Sequence, residues 1–368
     1  MPEVKLVNIT KKYGKVIAVD NVNLQIRDKE YVTILGPSGC GKTTIIKIIA
    51  GIIDPDEGEV YINGKKVNEV PPEDRGVGYV FQNIVLFPNM NVWDNITYGP
   101  RVKNWNQTQS SKLAREMLEL IRLTVRSDAY PDELSGGMQQ KVATARALTS
   151  GANLLLLDEP LGALDARVRA ELRHELRRLV KDLGLTALHV THDQEEAMAI
   201  SDRIVIMKKG RVIETGTPEE LYTKPKTIFG ANFVGEANFM EGRITKLGEN
   251  EVGVEVRGGL IIRTSNKHYN PEEKVVIAVR PEYITLEVGE KPQLNGLFGY
   301  IEKRQFLGGF VRYEVRLDNE DRLAVHMPSA LDIGLLDINT RVTSYINPEN
   351  VLVYAYPAEG LKTALALE

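Results

Sequence analysis

GPSGCGKT, residues 36–43, decides the fold: it follows the short apolar run YVTIL (31–35) and opens the helical pattern TTIIKIIAG (43–51). The spacing is G-x-x-x-x-G-K-[ST], set between a strand and a helix, where a phosphate-binding loop belongs. The chemistry follows from the residue types. Glycines let consecutive backbone N–H groups turn inward around phosphate oxygens. Lys42 supplies a charge for the β- and γ-phosphates, the Thr43 hydroxyl a ligand for Mg²⁺, and Thr44 a donor to the α-phosphate. The nucleotide-binding stretch is therefore Gly36, Pro37, Ser38, Gly39, Cys40, Gly41, Lys42, Thr43 and Thr44. Cys40 has two readings, a small filler or a thiol whose pKa the helix N-terminus lowers. On the second, alkylation blocks ATP binding.

Two more buried-strand patterns flank this unit, NLLLLDEP (153–160) and TALHVTH (186–192). Between them, RVRAELRHELRRLVKDLG (167–184) carries Leu172, Leu176, Leu179 and Leu183 at helical spacing. Apolar strands alternating with helices predict an α/β fold with a mainly parallel sheet. Asp158, at the end of its strand, is placed to serve Mg²⁺. Glu159 follows it and points to the γ-phosphate as the group that polarises the attacking water. ELSGGMQQK (133–141) sets Ser135, Gly136 and Gly137 before a helix, either as an N-cap at a tight turn or as an anion site.

Beyond about Glu236 the texture changes to short alternating segments such as EVGVEV (251–256) and FVRYEVRL (310–317). In the latter, Val311, Tyr313, Val315 and Leu317 alternate with charged residues, which predicts a strand buried on one face. About ten such segments without long helices predict an all-β region of the oligonucleotide/oligosaccharide-binding type. The expected domains are 1–235, with a helical subdomain at about 85–134, and 236–368.

The chain has 368 residues, 43% hydrophobic and 26% charged, with a formal net charge of −4. That balance argues against a partner nucleic acid. Cys40 is the only cysteine, so a disulfide framework and a cysteine metal site are excluded. MPEVKLVNITKKYG lacks the apolar core of a signal peptide, and no run of 18 apolar residues occurs. Any tie to a membrane is expected to pass through a partner.

Taken in order, Tyr13, GPSGCGKT, Gln82, LSGGM (134–138), LLLLDE (154–159), GALD (162–165) and His192 resemble the motif series of ABC-transporter ATPases. VGEANFMEGRI (234–244), IAVRPEYITL (277–286) and LGGFVRYEV (307–315) resemble the TOBE-type regulatory domain of the maltose-type importers. The resemblance implies an α/β P-loop NTPase domain followed by an all-β OB-like regulatory domain. It implies that Tyr13 stacks on adenine, Gln82 reaches Mg²⁺ or the attacking water, and His192 contacts the γ-phosphate and holds Glu159. Lys42, Gln82, Glu159 and His192 are then the catalytic set, with Thr43, Gln82 and Asp158 on the metal. Ser135, Gly136 and Gly137 cap ATP held by a second subunit, and Asp165 lines the subunit contact.

It further implies an ATP-dependent homodimer, membrane permease subunits, an extracytoplasmic solute-binding protein and a place at the cytoplasmic face of the cell membrane. VLFPNMNVWDNITYG (85–99) would dock the permeases, though Leu86, Phe87, Met90 and Trp93 suit a core equally. Met138 departs from the family's usual Gln, Lys141 from its frequent Arg, and Gly162 from its frequent Ser; Met138 is expected to pack. His189 has no counterpart in the motif series and is read as packing. The maltose-type resemblance favours a sugar cargo, with polyamine, iron, sulfate or molybdate importers, or a non-transport ABC ATPase, as alternatives.

Overall fold

The computed structural model describes residues 3–162, 164–246, 252–265, 269–329 and 334–367. Ala163 of GALD and Glu251 of EVGVEV lie outside the described residues. Two compact units divide the chain, the first ending at Leu221 and the second running Tyr222–Leu367.

The first unit begins with β1 (Val4–Tyr13), β2 (Val16–Ile26) and β3 (Tyr31–Leu35), then α1 (Lys42–Ala50), β4 (Glu57–Ile62), β5 (Lys65–Lys66) and β6 (Val77–Val80). Helices α2 (Val92–Val102), α3 (Gln107–Leu120) and α4 (Gly136–Thr149) follow, and α2 and α3 form the helical insertion. The chain then alternates: β7 (Leu154–Asp158), α5 (Ala166–Asp182), β8 (Thr186–Thr191), α6 (Gln194–Ile200), β9 (Arg203–Lys208) and β10 (Arg211–Gly216). One sheet has the order β10-β9-β3-β8-β7-β6, parallel except for the β10 edge. A second, antiparallel sheet has the order β2-β1-β4-β5.

Strands β3, β7 and β8 are buried along their whole length. Helices on both faces of a parallel sheet produce such continuous apolar runs. The carboxyl ends of β3, β7 and β8 deliver the phosphate loop, Asp158-Glu159 and His192 to neighbouring places on one sheet edge, where α/β proteins bind ligands. In α5, Leu172, Leu176 and Leu179 are buried as the spacing predicts. Leu183 departs from the pattern: the helix stops at Asp182, and Leu183 is a C-cap that is 40% exposed.

The second unit holds α7's last residues, where α7 is Pro218–Thr223, and α8 (Ile228–Phe233). It then builds two antiparallel sheets. One contains β11 (Asn238–Lys246), β12 (Val252–Val256), β13 (Ile261–Thr264), β14 (Lys274–Val279) and later β20 (Leu352–Ala355). The other contains β15 (Ile284–Val288), β16 (Gly296–Phe306), β17 (Phe310–Leu317), β18 (Arg322–Pro328) and β19 (Arg341–Ile346). Val311, Tyr313, Val315 and Leu317 all face the core. The unit starts at Tyr222 rather than at Glu236 because α8 packs Ile228 and Ala231 against Val276, Ala278 and Tyr354. The short helix α9 (Leu361–Leu365) adds Leu361 and Leu365 to the same cluster.

Candidate nucleotide-hydrolysis site

The phosphate loop is shaped by what its neighbours exclude. Gly41 has φ 104°, and a Cβ there would lie 2.2 Å from the Ala18 carbonyl oxygen, so only glycine fits. Lys42 is buried, and its Nζ donates to the carbonyls of Gly36 and Pro37, both at 2.8 Å, which folds the ammonium over the loop. Helix α1 starts at this point, so its first N–H groups add to the anion-attracting end.

Cys40 does not join this chemistry as a low-pKa thiol. Its side chain is buried in the core beneath the loop with Ile45, Ile46 and Met207. Burial pushes the thiol pKa up and outweighs the opposing charge of Lys42. The filler reading holds, and the lowered pKa is corrected.

Thr43 Oγ1 donates to Asp158 Oδ1 at 2.9 Å, and Tyr79 Oη donates to Asp158 Oδ2 at 2.9 Å. Burial, then the Asp158 charge and hydrogen bond, holds the Tyr79 hydroxyl well above its usual pKa, so it remains a donor. Tyr79 was absent from the sequence-based set; its one signal is its place on the strand that leads to Gln82. Among the described residues no group of three or more His, Cys, Asp or Glu could hold a metal. A hydroxyl and a carboxylate at this separation suit Mg²⁺ whose remaining ligands are phosphate oxygens and water.

Glu159 is the centre of the site. Its φ is 46°, a left-handed conformation that is uncommon for a non-glycine residue and concentrated at functional positions. Its N–H is held by the Val190 carbonyl at 2.9 Å. Gln82 Nε2 donates to Glu159 Oε2 at 3.0 Å, and His192 Nδ1 lies 3.2 Å from Glu159 Oε1. The Glu159 side chain is 16% exposed and that of His192 is 55% exposed, so the pair is anchored on one side and open on the other. Two residues remote from each other in sequence, Gln82 and His192, converge on one carboxylate, as general-base chemistry with an oriented partner requires.

Tyr13 ends β1 beside exposed Val16 and Ile17 and is itself 51% exposed. Ser135 is the exposed N-cap of α4, and its Oγ accepts from the Met138 N–H at 3.4 Å. Gly136 is also exposed, whereas Gly137 is buried, and a Cβ there would meet Val168 at 2.7 Å. Met138 packs against the core of the helical region. Leu86 and Trp93 pack there too, while Phe87 meets Tyr98 and Arg146; Val85 in that segment and Phe81 just before it are exposed. Asp165 caps α5 by accepting from the Val168 N–H at 3.0 Å.

His189 is more than packing. Fully buried, it meets Tyr31 Oη at 3.0 Å through Nδ1, and its Nε2 lies 3.2 Å from Glu196 Oε1, an ion-pair distance without hydrogen-bond alignment. Burial raises the Glu196 carboxyl pKa, but His189 and the Thr191 hydroxyl, which donates at 2.6 Å, together hold it below the usual range.

Residues 19–162 match the ABC transporter family model, and 277–353 match the TOBE domain model. The spermidine/putrescine import ATP-binding protein of a Nostoc species is 42% identical over 331 residues, covering 89% of this chain and 87% of that protein. The chain belongs to the ABC-transporter ATP-binding subunits. The protein of the same name from Clostridium novyi is 39% identical and covers 95% of this chain and 96% of its own length. That from Haemophilus ducreyi is 40% identical, covering 86% of each. A dimeric post-hydrolysis structure of the ATP-binding cassette MJ0796 with ADP and Pi superposes with a TM-score of 0.52 and 36% identity. It covers 58% of this chain and 98% of its own. As a member of this family the chain is an ATPase whose hydrolysis is coupled to transport, with a C-terminal TOBE domain. These relatives are named for spermidine/putrescine import, which matches the polyamine alternative rather than the sugar cargo the resemblance favoured.

Proposed function

We propose that the protein is the ATP-hydrolysing subunit of a polyamine importer, acting as an ATP-dependent homodimer beneath membrane permease subunits. The observation that carries the cargo is the 39–42% identity, across most of both chains, to relatives named for spermidine and putrescine import. The site supplies the mechanism. Lys42 and the loop N–H groups hold the phosphates of ATP, with Tyr13 against the base. Thr43 and Asp158 would hold Mg²⁺, which neutralises phosphate charge; Tyr79 orients the carboxylate. Glu159 accepts a proton from water attacking the γ-phosphate, while His192 and Gln82 fix the direction of its two oxygens. Ser135, Gly136 and Gly137 present the N-terminus of α4 to ATP on the second subunit, so each site is completed in trans.

In this reading the homodimer sits at the cytoplasmic face and serves an extracytoplasmic solute-binding protein through the permeases. No helix among the described residues is long and apolar enough to cross a membrane. The test is uptake of labelled spermidine and of labelled maltose by cells lacking the gene, complemented with wild type or Glu159→Gln. Spermidine uptake restored by wild type alone supports the reading. Restoration of maltose uptake, with spermidine unaffected, overturns it.

A further inference from the structure

The hydrolytic pair Glu159–His192 and the GALD loop are tied together by one side chain outside the motif series, Arg169. Gly162 N–H donates to the Glu159 carbonyl at 3.2 Å, and Leu164 N–H donates to the Leu161 carbonyl at 3.2 Å, which ties Gly162 and Leu164 back to the corner at Glu159. Leu161, Leu164 and Leu172 bury themselves together, with Val168 packed on them, which presses this segment onto α5. From the first turn of α5, Arg169 Nη2 donates to the Leu164 carbonyl at 3.0 Å, and its Nη1 donates to Asp193 Oδ2 at 3.1 Å.

Asp193 is the residue after His192, and it is fixed from several sides. Its Oδ1 caps α6 by accepting from the Glu196 N–H at 3.0 Å, and its own N–H donates to Thr191 Oγ1 at 3.0 Å. Arg173 Nη2 stands 3.8 Å from the same Oδ2, with its other arm 3.5 Å from Glu195. Burial raises the Asp193 carboxyl pKa, but the Glu196 N–H and the Arg169 and Arg173 charges outweigh it, so the group stays ionised. The contacts close a ring: Glu159, the hydrogen-bonded Leu161, Gly162 and Leu164, Arg169, Asp193, His192, and back to Glu159.

We propose that Arg169 is a positioning residue for ATP hydrolysis, coupling the GALD loop to the carboxylate–histidine pair. Only the guanidinium fork bonds a carbonyl and a carboxylate at once from a fixed plane; an ammonium at this place serves one of them. A displacement of residues 162–165 is then transmitted to His192 and the direction of Glu159, not to the phosphate loop. Charge alone does not account for the arrangement, because Arg173 already lies beside Asp193, whereas Arg169 also bonds the Leu164 carbonyl.

The test is steady-state ATP hydrolysis by the full chain bearing Arg169→Ala, Arg169→Lys, Asp193→Asn, Arg173→Ala and the Arg169→Ala/Asp193→Asn pair. Arg169→Ala is expected to lower kcat roughly 10- to 100-fold, the scale of a small misplacement in an active site, with KM for ATP little changed. Asp193→Asn keeps the shape and the helix cap and lowers kcat similarly, which keeps the proposal testable if Arg169→Ala does not fold. The double variant is no slower than the slower single one, Arg169→Lys recovers part of kcat, and Arg173→Ala costs less than Arg169→Ala. Additive losses, a loss confined to KM, a larger effect of Arg173→Ala, or wild-type kcat in both Arg169→Ala and Asp193→Asn overturns the proposal. The inference rests on Glu159 and His192 being the hydrolytic pair. Glu159→Gln, run alongside, separates the two: full activity there removes the pair itself, whereas an inactive Glu159→Gln with wild-type Arg169 variants removes only the coupling.

Discussion

Replacing Arg280 by Met should loosen the second unit and leave the first intact. Among the described residues Arg280 is the largest fully buried side chain, and it donates four hydrogen bonds to backbone carbonyls. Nη1 donates to Ala231 at 2.7 Å and Glu236 at 3.0 Å; Nε and Nη2 donate to Tyr222 at 3.2 and 3.0 Å. The guanidinium also lies 4.5 Å from the Tyr222 ring centroid. The residue therefore pins the segment from Tyr222 to Glu236 onto the end of β14. Met fills the stem volume but leaves three carbonyls without this donor, at about 1–3 kcal/mol each. Release of the buried charge offsets part of this, and burial does lower the Arg280 pKa. A net loss of about 2–4 kcal/mol follows, with Lys recovering less than half because it lacks the fork. Hydrogen exchange of the full chain reads it site by site: amides of β11 and β14 lose protection by that amount, while β3 and β8 keep theirs. Unchanged protection in β14 would refute the reasoning.

Two further outcomes concern the nucleotide site. Tyr79→Phe removes one of two hydroxyl donors to Asp158 and should weaken Mg²⁺-dependent ATP binding by about 1–2 kcal/mol, roughly 5- to 30-fold. A titration with and without Mg²⁺ checks it, and equal weakening in both arms would count against the role given to Asp158. Cys40 should react with iodoacetamide far more slowly in the folded chain than in denaturant, because its thiol is buried and its pKa raised. Mass spectrometry of quenched samples shows which holds; rapid labelling of the folded chain would contradict its place in the core.

The strand and helix order, the phosphate loop and the Asp158-Glu159 corner were legible because each is a local pattern with its own period. FVRYEVRL read correctly for the same reason: a one-face-buried strand alternates wherever it lies. What stayed hidden depends on partners far along the chain. His189 reads as one more residue of a buried strand until Tyr31 and Glu196 are placed against it. Cys40 sits at a helix N-terminus in sequence, but its direction into the core decides its pKa, and no spacing encodes direction. Leu183 continues a helical period that the chain abandons one residue earlier. The start of the second unit was hidden because α8 is helical in texture, yet its apolar side belongs to β14 and β20. Arg169 is invisible as a motif because its two partners, Leu164 and Asp193, come from different loops.

The central claim is that Glu159, held by Gln82 and His192, is the base for ATP hydrolysis. Single-turnover hydrolysis of Mg²⁺-ATP by Glu159→Gln tests it most directly, since Gln preserves the size and the contact with Gln82 but cannot accept the proton. The account predicts ATP binding near the wild-type level and a hydrolysis rate lower by roughly 10²- to 10⁴-fold. Hydrolysis at the wild-type rate, with binding intact, would contradict it.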